Sequence, residues 1–383
     1  MDPAVALLHD LVAIDSVNPS LVPGAAGEAE IVDAIAARLR AIGLDVELQE
    51  AAPWRRNVVG ILEGRGAGPS LMFCGHVDTV GVDGMVRPFD PIERDGRLYG
   101  RGAQDMKGGV AAMIDAARVI AEEGLPAGRL IVACVVDEEY ASVGADALVT
   151  RWRADAAVVT EPTDLHVAIG HKGFAWFDIE TRGRAAHGSR PAEGRDAIMR
   201  MGRVLHRLEA LDRALQARDP DPLMGVPSLH ASLIEGGREL SSYPDRCVLK
   251  IERRTVTGED DTQVARELAA ILDAERAADP EFEASLRLTF ARPAYAIAES
   301  APLPQAVLRA ARRAAVESRV GSMSFWTDAA VLGKAGIPAV LFGPRGAGLH
   351  SVEEYVSLAA VTQCRDTLVA LARDWCAQKE KGA

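Results

Sequence analysis

Residues 70–80 read SLMFCGHVDTV. Ser70 to Cys74 form a run with no polar alternation, the pattern of a strand covered on both faces, as strands of a parallel sheet are. Downstream the same theme recurs. A helix is predicted over about 107–123, the strand RLIVACVV at 129–136, a helix near 144–152 and the strand AAVVT at 156–160. Upstream, helical spacing over 3–16 stops at Asn18-Pro19, a second helical run over 27–42 ends at Gly43, and DVELQE and NVVGIL read as strands near 45–50 and 57–62. This alternation predicts an α/β layer, its sheet mostly parallel and helices on both faces.

Between about 172 and 290 the order changes. It reads strand (FAWFDIET), helix (196–211), two strands (SLHASLIE, CVLKIERR), helix (260–276) and strand (ASLRLTF). This βαββαβ order is the signature of a ferredoxin-like α+β domain. After Pro293 come a helix (302–317), a short strand (AVLFG, 339–343) and a final helix (358–376), too few elements for an independent sheet. The sequence therefore predicts one domain inserted into another: 1–171 and 291–383 forming the first, 172–290 the second.

The chain has 383 residues, enough for two domains at about 150 residues each. A net charge of −12 argues against a surface for nucleic acid or anionic lipid and favours a small-molecule partner. With 48% hydrophobic and 26% charged residues it reads as a folded globular chain, and no apolar run approaches the ~18 residues of a membrane span. The first residues, MDPAVALLHDLVAID, carry three aspartates and no basic region ahead of an apolar stretch, so a cytoplasmic location is expected. The five cysteines are scattered, without a CxxC pair, which points to reduced thiols and away from a thiolate-bound metal.

His76 and Asp78 follow the strand at 70–74, and a period of two can turn both toward the same side. Open α/β sheets place their sites at such carboxyl ends. His76 reads either as a metal ligand with Asp78 orienting its second nitrogen, or as a buried imidazole satisfying a hydrogen bond. In GRGAQDMKGGVAAMI, Asp105 lies in a glycine-rich loop before a helix, where it could face a bound group or simply cap the helix. A phosphate loop is excluded, because Lys107 is followed by Gly108 and not by Ser or Thr. The strand at 129–136 runs into Asp137-Glu138-Glu139, carboxylates that need a cation or a solvated turn to relieve their repulsion. The strand AAVVT also ends in an acid, Glu161, and His350 lies in the glycine-rich stretch GPRGAGLH after the strand at 339–343. His76, Asp105, Glu139, Glu161 and His350 thus fall on what could be one rim of the sheet. Two imidazoles and three carboxylates suit a pair of divalent ions such as zinc, provided one carboxylate bridges.

GHVDTV, GRGAQDMKGG, DEEY, TEPT, GRAAHGS and LHSVEEYV, in this order over about 5–376, resemble the dinuclear zinc amidohydrolases and exopeptidases of peptidase family M20, which include deacetylases, desuccinylases, aminoacylases and glutamate carboxypeptidases. The resemblance implies a zinc-exopeptidase-like catalytic domain. It implies that Asp105 bridges two zinc ions, replaceable by cobalt, one also held by His76 and Glu161 and the other by Glu139 and His350. Glu138 would be the general base, and Asp78 would orient His76. The inserted domain would be a lid that also forms a homodimer, carrying His187 to the neighbouring subunit's site.

The lid departs from the family pattern. Ser241 in GGRELSSYPD stands where relatives commonly have Asn, and IERRTVTGED keeps Arg254 but has Glu252 for Asp and Thr257 for Pro. Arg254 would grip a substrate carboxylate bidentately, and Arg345 would face substrate. His171 reads as structural, and His9, His166, His206 and His230 as ordinary residues. The leading reading is deacylation of an N-acyl amino acid, the second a carboxypeptidase or dipeptidase. A metal-free binding protein on an old enzyme scaffold is disfavoured because every ligand position and Glu138 are filled.

Overall fold

A computed structural model describes residues 1–378. Strand Ser70–His76 lies at the centre of the larger sheet, parallel to Arg129–Val135 on one side and to Ala156–Val159 on the other. Ala339–Leu341 extends the parallel set beside Ala156–Val159. Beyond Arg129–Val135, Arg55–Glu63 and then Asp45–Ala52 close that side with antiparallel pairs. On the far side Val167–His171 pairs antiparallel with Ala339–Leu341, Leu341 facing Ala168. Every residue of the central strand after Ser70 is buried, so both faces are covered, which is why the sequence shows no alternation there. Leu71, Met72 and Phe73 have no exposed surface, and each contributes about 1.5–3 kcal/mol relative to an exposed position.

Parallel neighbours need long crossovers. Helix Gly108–Glu123 lies in the connection from Ser70–His76 to Arg129–Val135, and Val143–Arg151 carries the chain on to Ala156–Val159. Gly108–Glu123 also packs against Pro3–Val12 and Leu358–Cys376, and Pro302–Arg313 packs against Leu358–Cys376.

The first helix stops at Val12, short of the predicted 16. The reason is a competing pairing. Asn18 N–H donates to Thr79 O at 2.9 Å and Thr79 N–H to Ser16 O at 3.0 Å, so residues 16–18 zip alongside the segment that follows His76. The sequence also gave no warning of a small sheet of Ile92–Arg94, Arg97–Tyr99, Gly346–Ala347 and Tyr355–Ser357, whose strands of two or three residues are too short to show a period.

The chain divides into two compact units. The larger comprises Met1–Ile169, Ile297–Ser322 and the chain from Thr327 onward; the smaller is Gly170–Ala296 with Met323–Trp326. The smaller has an antiparallel sheet in the order Ser228–Gly236, Arg246–Thr255, Gly173–Arg182, Glu283–Arg292, the ferredoxin-like order. Helices Ala197–Gln216 and Asp261–Ala278 start at Asp196 and Asp260, whose carboxylates accept from Met199 N–H and Gln263 N–H. Ala175, Phe177, Ile179 and Thr181 are buried, with Met201, Val204, Leu208, Leu268 and Leu272 of the helices also in this core. Trp176, Asp178 and Glu180 alternate with them on the other face, as a sheet covered on one side requires.

Candidate metal centre

In the larger unit, strand ends and loops bring six titratable side chains together. His76 ends the central strand and is buried. Its Nε2 lies 3.1 Å from Asp105 Oδ1, 3.8 Å from Glu161 Oε1 and 4.0 Å from Glu138 Oε2. The other oxygen of Asp105, Oδ2, is 3.4 Å from His350 Nε2, which is also 3.1 Å from Glu139 Oε2. One carboxylate therefore turns its two oxygens toward two different imidazoles. Potential ligand atoms of His76, Asp105 and Glu139 lie within 4.8 Å of one another, and so do those of His76, Glu138 and Glu161.

Two glycines permit this convergence. A Cβ on Gly109 would sit 1.9 Å from Thr160 O, so only glycine lets the helix behind Asp105 close on the strand end that leads to Glu161. Gly348 has φ +93°, and a Cβ there would meet Glu353 O at 1.9 Å; this tight turn sets His350 in place. His350 is the open edge of the cluster, its side chain 55% exposed, whereas Glu139 and Glu161 are buried to 5% and 4%.

Asp78 takes a place that its sequence position alone did not show. His76 Nδ1 contacts the main-chain oxygen of Asp78 at 3.0 Å, while the nearest carboxylate oxygen is 3.7 Å away. The carboxylate instead accepts from the N–H of Glu138 at 3.1 Å, the N–H of Glu139 at 3.2 Å and Asn18 Nδ2 at 2.8 Å. Asn18 Nδ2 also donates to Asp137, which Arg55 Nη1 holds at 2.6 Å. Asp78 thus fixes the backbone that carries both glutamates.

The electrostatics are those of a site with too many acids for its cations. Burial raises Glu138 well above the usual carboxylate range, and Glu161, Asp328 and Glu139 reinforce it against the lowering pull of His76. Burial likewise lifts Glu161, and brings Glu139 up to about 7 with help from Asp105. Asp105 moves the other way, because hydrogen bonds from His350 and His76 outweigh its burial. His350 is pushed up to about 10 by hydrogen bonds to Asp105 and Glu139. For His76, burial favours the neutral ring, but Asp105, Glu161 and Glu138 together raise it. Glu139 Oε1 is buried with no hydrogen-bond partner. Oxygen and imidazole donors with a carboxylate facing both ways and an orphaned buried oxygen fit divalent cations that would take the place of the extra protons.

Arg345, also in the larger unit, is exposed, and its carbonyl accepts from Ser357 N–H at 2.8 Å. His187, Ser241 and Arg254 belong to the smaller unit. His187 is exposed, its Nδ1 2.8 Å from Ser189 Oγ, and Gly188 N–H donates to Ser241 O at 2.7 Å, so His187 and Ser241 share one exposed loop pair. Arg254 donates from Nε to Glu252 and lies 5.5 Å over the Phe174 ring.

Sequence reasoning missed Glu354, Asn18 and Asp328. Glu354 hides behind Glu353 in a motif whose histidine is the evident ligand, and Asn18, before Pro19, reads only as a helix stop. Asp328, buried near Glu138 and Glu161, follows a tryptophan-threonine pair with no strand before it that the sequence displays.

Two imidazoles and four carboxylates gathered from strand ends and adjoining loops at one rim of an open α/β sheet are the site of a metal-dependent hydrolase. The chain belongs to peptidase family M20/M25/M40, whose model matches residues 72–374. It is 31% identical over 384 residues to an acetylornithine deacetylase of Myxococcus xanthus, covering 97% of both chains. An N-formyl-4-amino-5-aminomethyl-2-methylpyrimidine deformylase of Bacillus subtilis is 29% identical, covering 91% of this chain and 89% of its own. Among solved structures, a Staphylococcus aureus tripeptidase matches with a TM-score of 0.83 at 22% identity over 98% of each chain. A Bacillus subtilis dinuclear metal binding peptidase of this family matches with a TM-score of 0.75 at 16% identity over 97% of each. No helix among the described residues is long and apolar enough to cross a membrane.

Proposed function

We propose that this protein hydrolyses the amide bond of an N-acyl amino acid, releasing the acid and the free amine. The observation that carries the reading is Asp105, whose oxygens divide between His76 and His350 at 3.1 and 3.4 Å. In this reading His76, Asp105 and Glu161 hold one divalent ion and Asp105, Glu139 and His350 the other, zinc suiting the donors best and cobalt able to substitute. Bound there, the pair would supply Lewis acidity toward an acyl oxygen and lower the pKa of water.

Glu138 is the general base. Its carboxylate, 4.0 Å from His76 at the edge of the cluster, takes a proton from water and returns it to the departing nitrogen. Asp78 keeps it in place through its backbone N–H. The inserted unit acts as a lid and forms a homodimer, in which His187 of the partner subunit donates a hydrogen bond to the developing oxyanion. Arg254, Ser241 and Arg345 contact the substrate, Arg254 taking its carboxylate. The deacetylase and deformylase relatives both remove a small acyl group from nitrogen, which favours deacylation over peptide cleavage. A cytoplasmic location fits five buried cysteines, none in a disulfide.

The test is amine release from N-acetyl, N-formyl and N-succinyl amino acids and from dipeptides by the metal-loaded protein. The reading predicts higher kcat/KM on at least one N-acyl amino acid than on any dipeptide. The reverse order would make the protein a dipeptidase or carboxypeptidase, and no amine from any substrate would overturn amide hydrolysis.

A further inference from the structure

Four residues beyond His350 lies Glu354, whose carboxylate is completely buried and paired with Arg101. Its two oxygens accept four hydrogen bonds from one loop. Oε1 accepts from the N–H of Gln104 at 2.8 Å and of Asp105 at 3.1 Å. Oε2 accepts from the N–H of Gly102 at 3.0 Å and from Arg101 Nη1 at 2.7 Å. Residues 103–107 do not form a regular α-helix; Asp105 (φ −116°, ψ 93°) and Met106 break from helical geometry. Lys107 N–H reaches back to Gly102 O at 2.8 Å, but the N–H groups of Gly102, Gln104 and Asp105 are organised by Glu354 instead.

Arg101 extends the arrangement. Its guanidinium donates to Glu354, to Ser351 O at 3.1 Å and, through Nε, to Gly81 O at 3.1 Å. Gly81 lies five residues after His76, and Ser351 follows His350. One buried ion pair thus ties together the segments that carry His76, Asp105 and His350. A buried pair of this kind adds little net stability over apolar packing, but removal of one partner strands the other and the N–H groups it serves.

We propose that Glu354, held by Arg101, is a positioning residue that fixes the Asp105 carboxylate between His76 and His350, so that divalent-ion affinity and turnover both depend on a side chain that contacts neither ion nor substrate. The inference rests on the two-ion reading given above. Its mechanism is specific: with the Asp105 N–H anchored, the side chain has one approach that serves both imidazoles. With the anchor lost, the loop relaxes and the bridge no longer spans them.

Glu354→Gln tests this without changing volume. An amide retains one acceptor oxygen and turns an NH2 group toward either the Gly102–Arg101 donors or the Gln104–Asp105 donors, so one pair is always opposed by another donor. Zn2+ and Co2+ are titrated into metal-free wild type, Glu354→Gln and Arg101→Lys by competition with a chromophoric chelator, alongside kcat, KM, circular dichroism and the cobalt d–d spectrum. Groups that orient metal ligands typically change affinity or activity by about 10–100-fold. The expected result is a folded Glu354→Gln protein that has lost about that factor in affinity for at least one ion, with an altered cobalt spectrum, a lower kcat and KM changed far less. Arg101→Lys should show the same pattern more weakly, and it decides the matter if Glu354→Gln does not fold. Both ions bound as tightly as in wild type, with unchanged spectrum and kcat in the variant that folds, would overturn the proposal. Failure of the wild type itself to bind two ions would instead overturn the two-ion reading.

Discussion

Asp78→Asn separates two roles that the sequence could not tell apart. The carboxylate has no solvent exposure and serves three donors: Glu138 N–H, Glu139 N–H and Asn18 Nδ2. An asparagine offers one oxygen for the two backbone N–H groups, which contact different carboxylate oxygens, so in either amide orientation one of them faces an NH2 group. A stranded buried donor costs about 1–3 kcal/mol, and the variant should lose about that much stability in urea unfolding of the metal-free protein. The same change shifts the backbone under Glu138, and a displacement of about 1 Å at a reacting group can cost about 100-fold in rate. His76 should be little affected, because its Nδ1 contacts the main-chain oxygen of residue 78, which the substitution keeps. The variant should therefore bind metal through His76 almost as well as wild type while kcat falls steeply at nearly constant KM. Unchanged urea midpoint and turnover would refute this assignment; loss of the ion on the His76 and Glu161 side as the sole defect would mean that the carboxylate acts on His76 after all, since Glu139, whose N–H it also holds, serves the other ion.

Glu138→Gln should cut kcat by about 10²–10⁴-fold with metal content intact, whereas Glu139→Ala should weaken one ion, as elemental analysis after dialysis would show. In metal-free protein, Glu139 has its pKa raised to about 7 from 4.5, so the folded state holds this proton after the unfolded state has released it. Its contribution is complete below about 4.5 and is lost as pH rises toward 7; the melting temperature of wild type relative to Glu139→Gln should fall across that window, and a rise would contradict the assignment. Mixing inactive Glu138→Ala and His187→Ala subunits should restore activity, because one site of each mixed dimer receives an intact Glu138 and the partner subunit's intact His187. No recovery after exchange confirmed by mass would place His187 elsewhere.

The parallel core was legible because burial on both faces leaves an unbroken apolar run, as in Ser70 to Cys74. The insertion was legible because the period and order of elements change near 172. His76, Asp105, Glu139, Glu161 and His350 could be picked out because strand ends and glycine turns have local signatures, Glu138 was singled out only by the family resemblance, and the structure brings all six together. Glu354, Arg101 and Asn18 were not, because their meaning lies in bonds to loops as much as 253 residues away. The short sheet that includes Tyr355–Ser357 was hidden for a related reason: three residues carry no period, and pairing with Arg97–Tyr99 and Gly346–Ala347 defines them. Val167–His171 has no counterpart among the elements read from the sequence, because Gly170 and Gly173 break the apolar run there.

Amide hydrolysis by this chain, as proposed, depends on two divalent ions held by His76, Asp105, Glu139, Glu161 and His350. Metal-stripped protein should be titrated with Zn2+ while bound metal per chain and amine release from an N-acyl amino acid are followed together. The expected result is no activity with chelator present, saturation at two ions per chain and full turnover restored there. Full turnover in the stripped protein, with chelator still in excess, would contradict it.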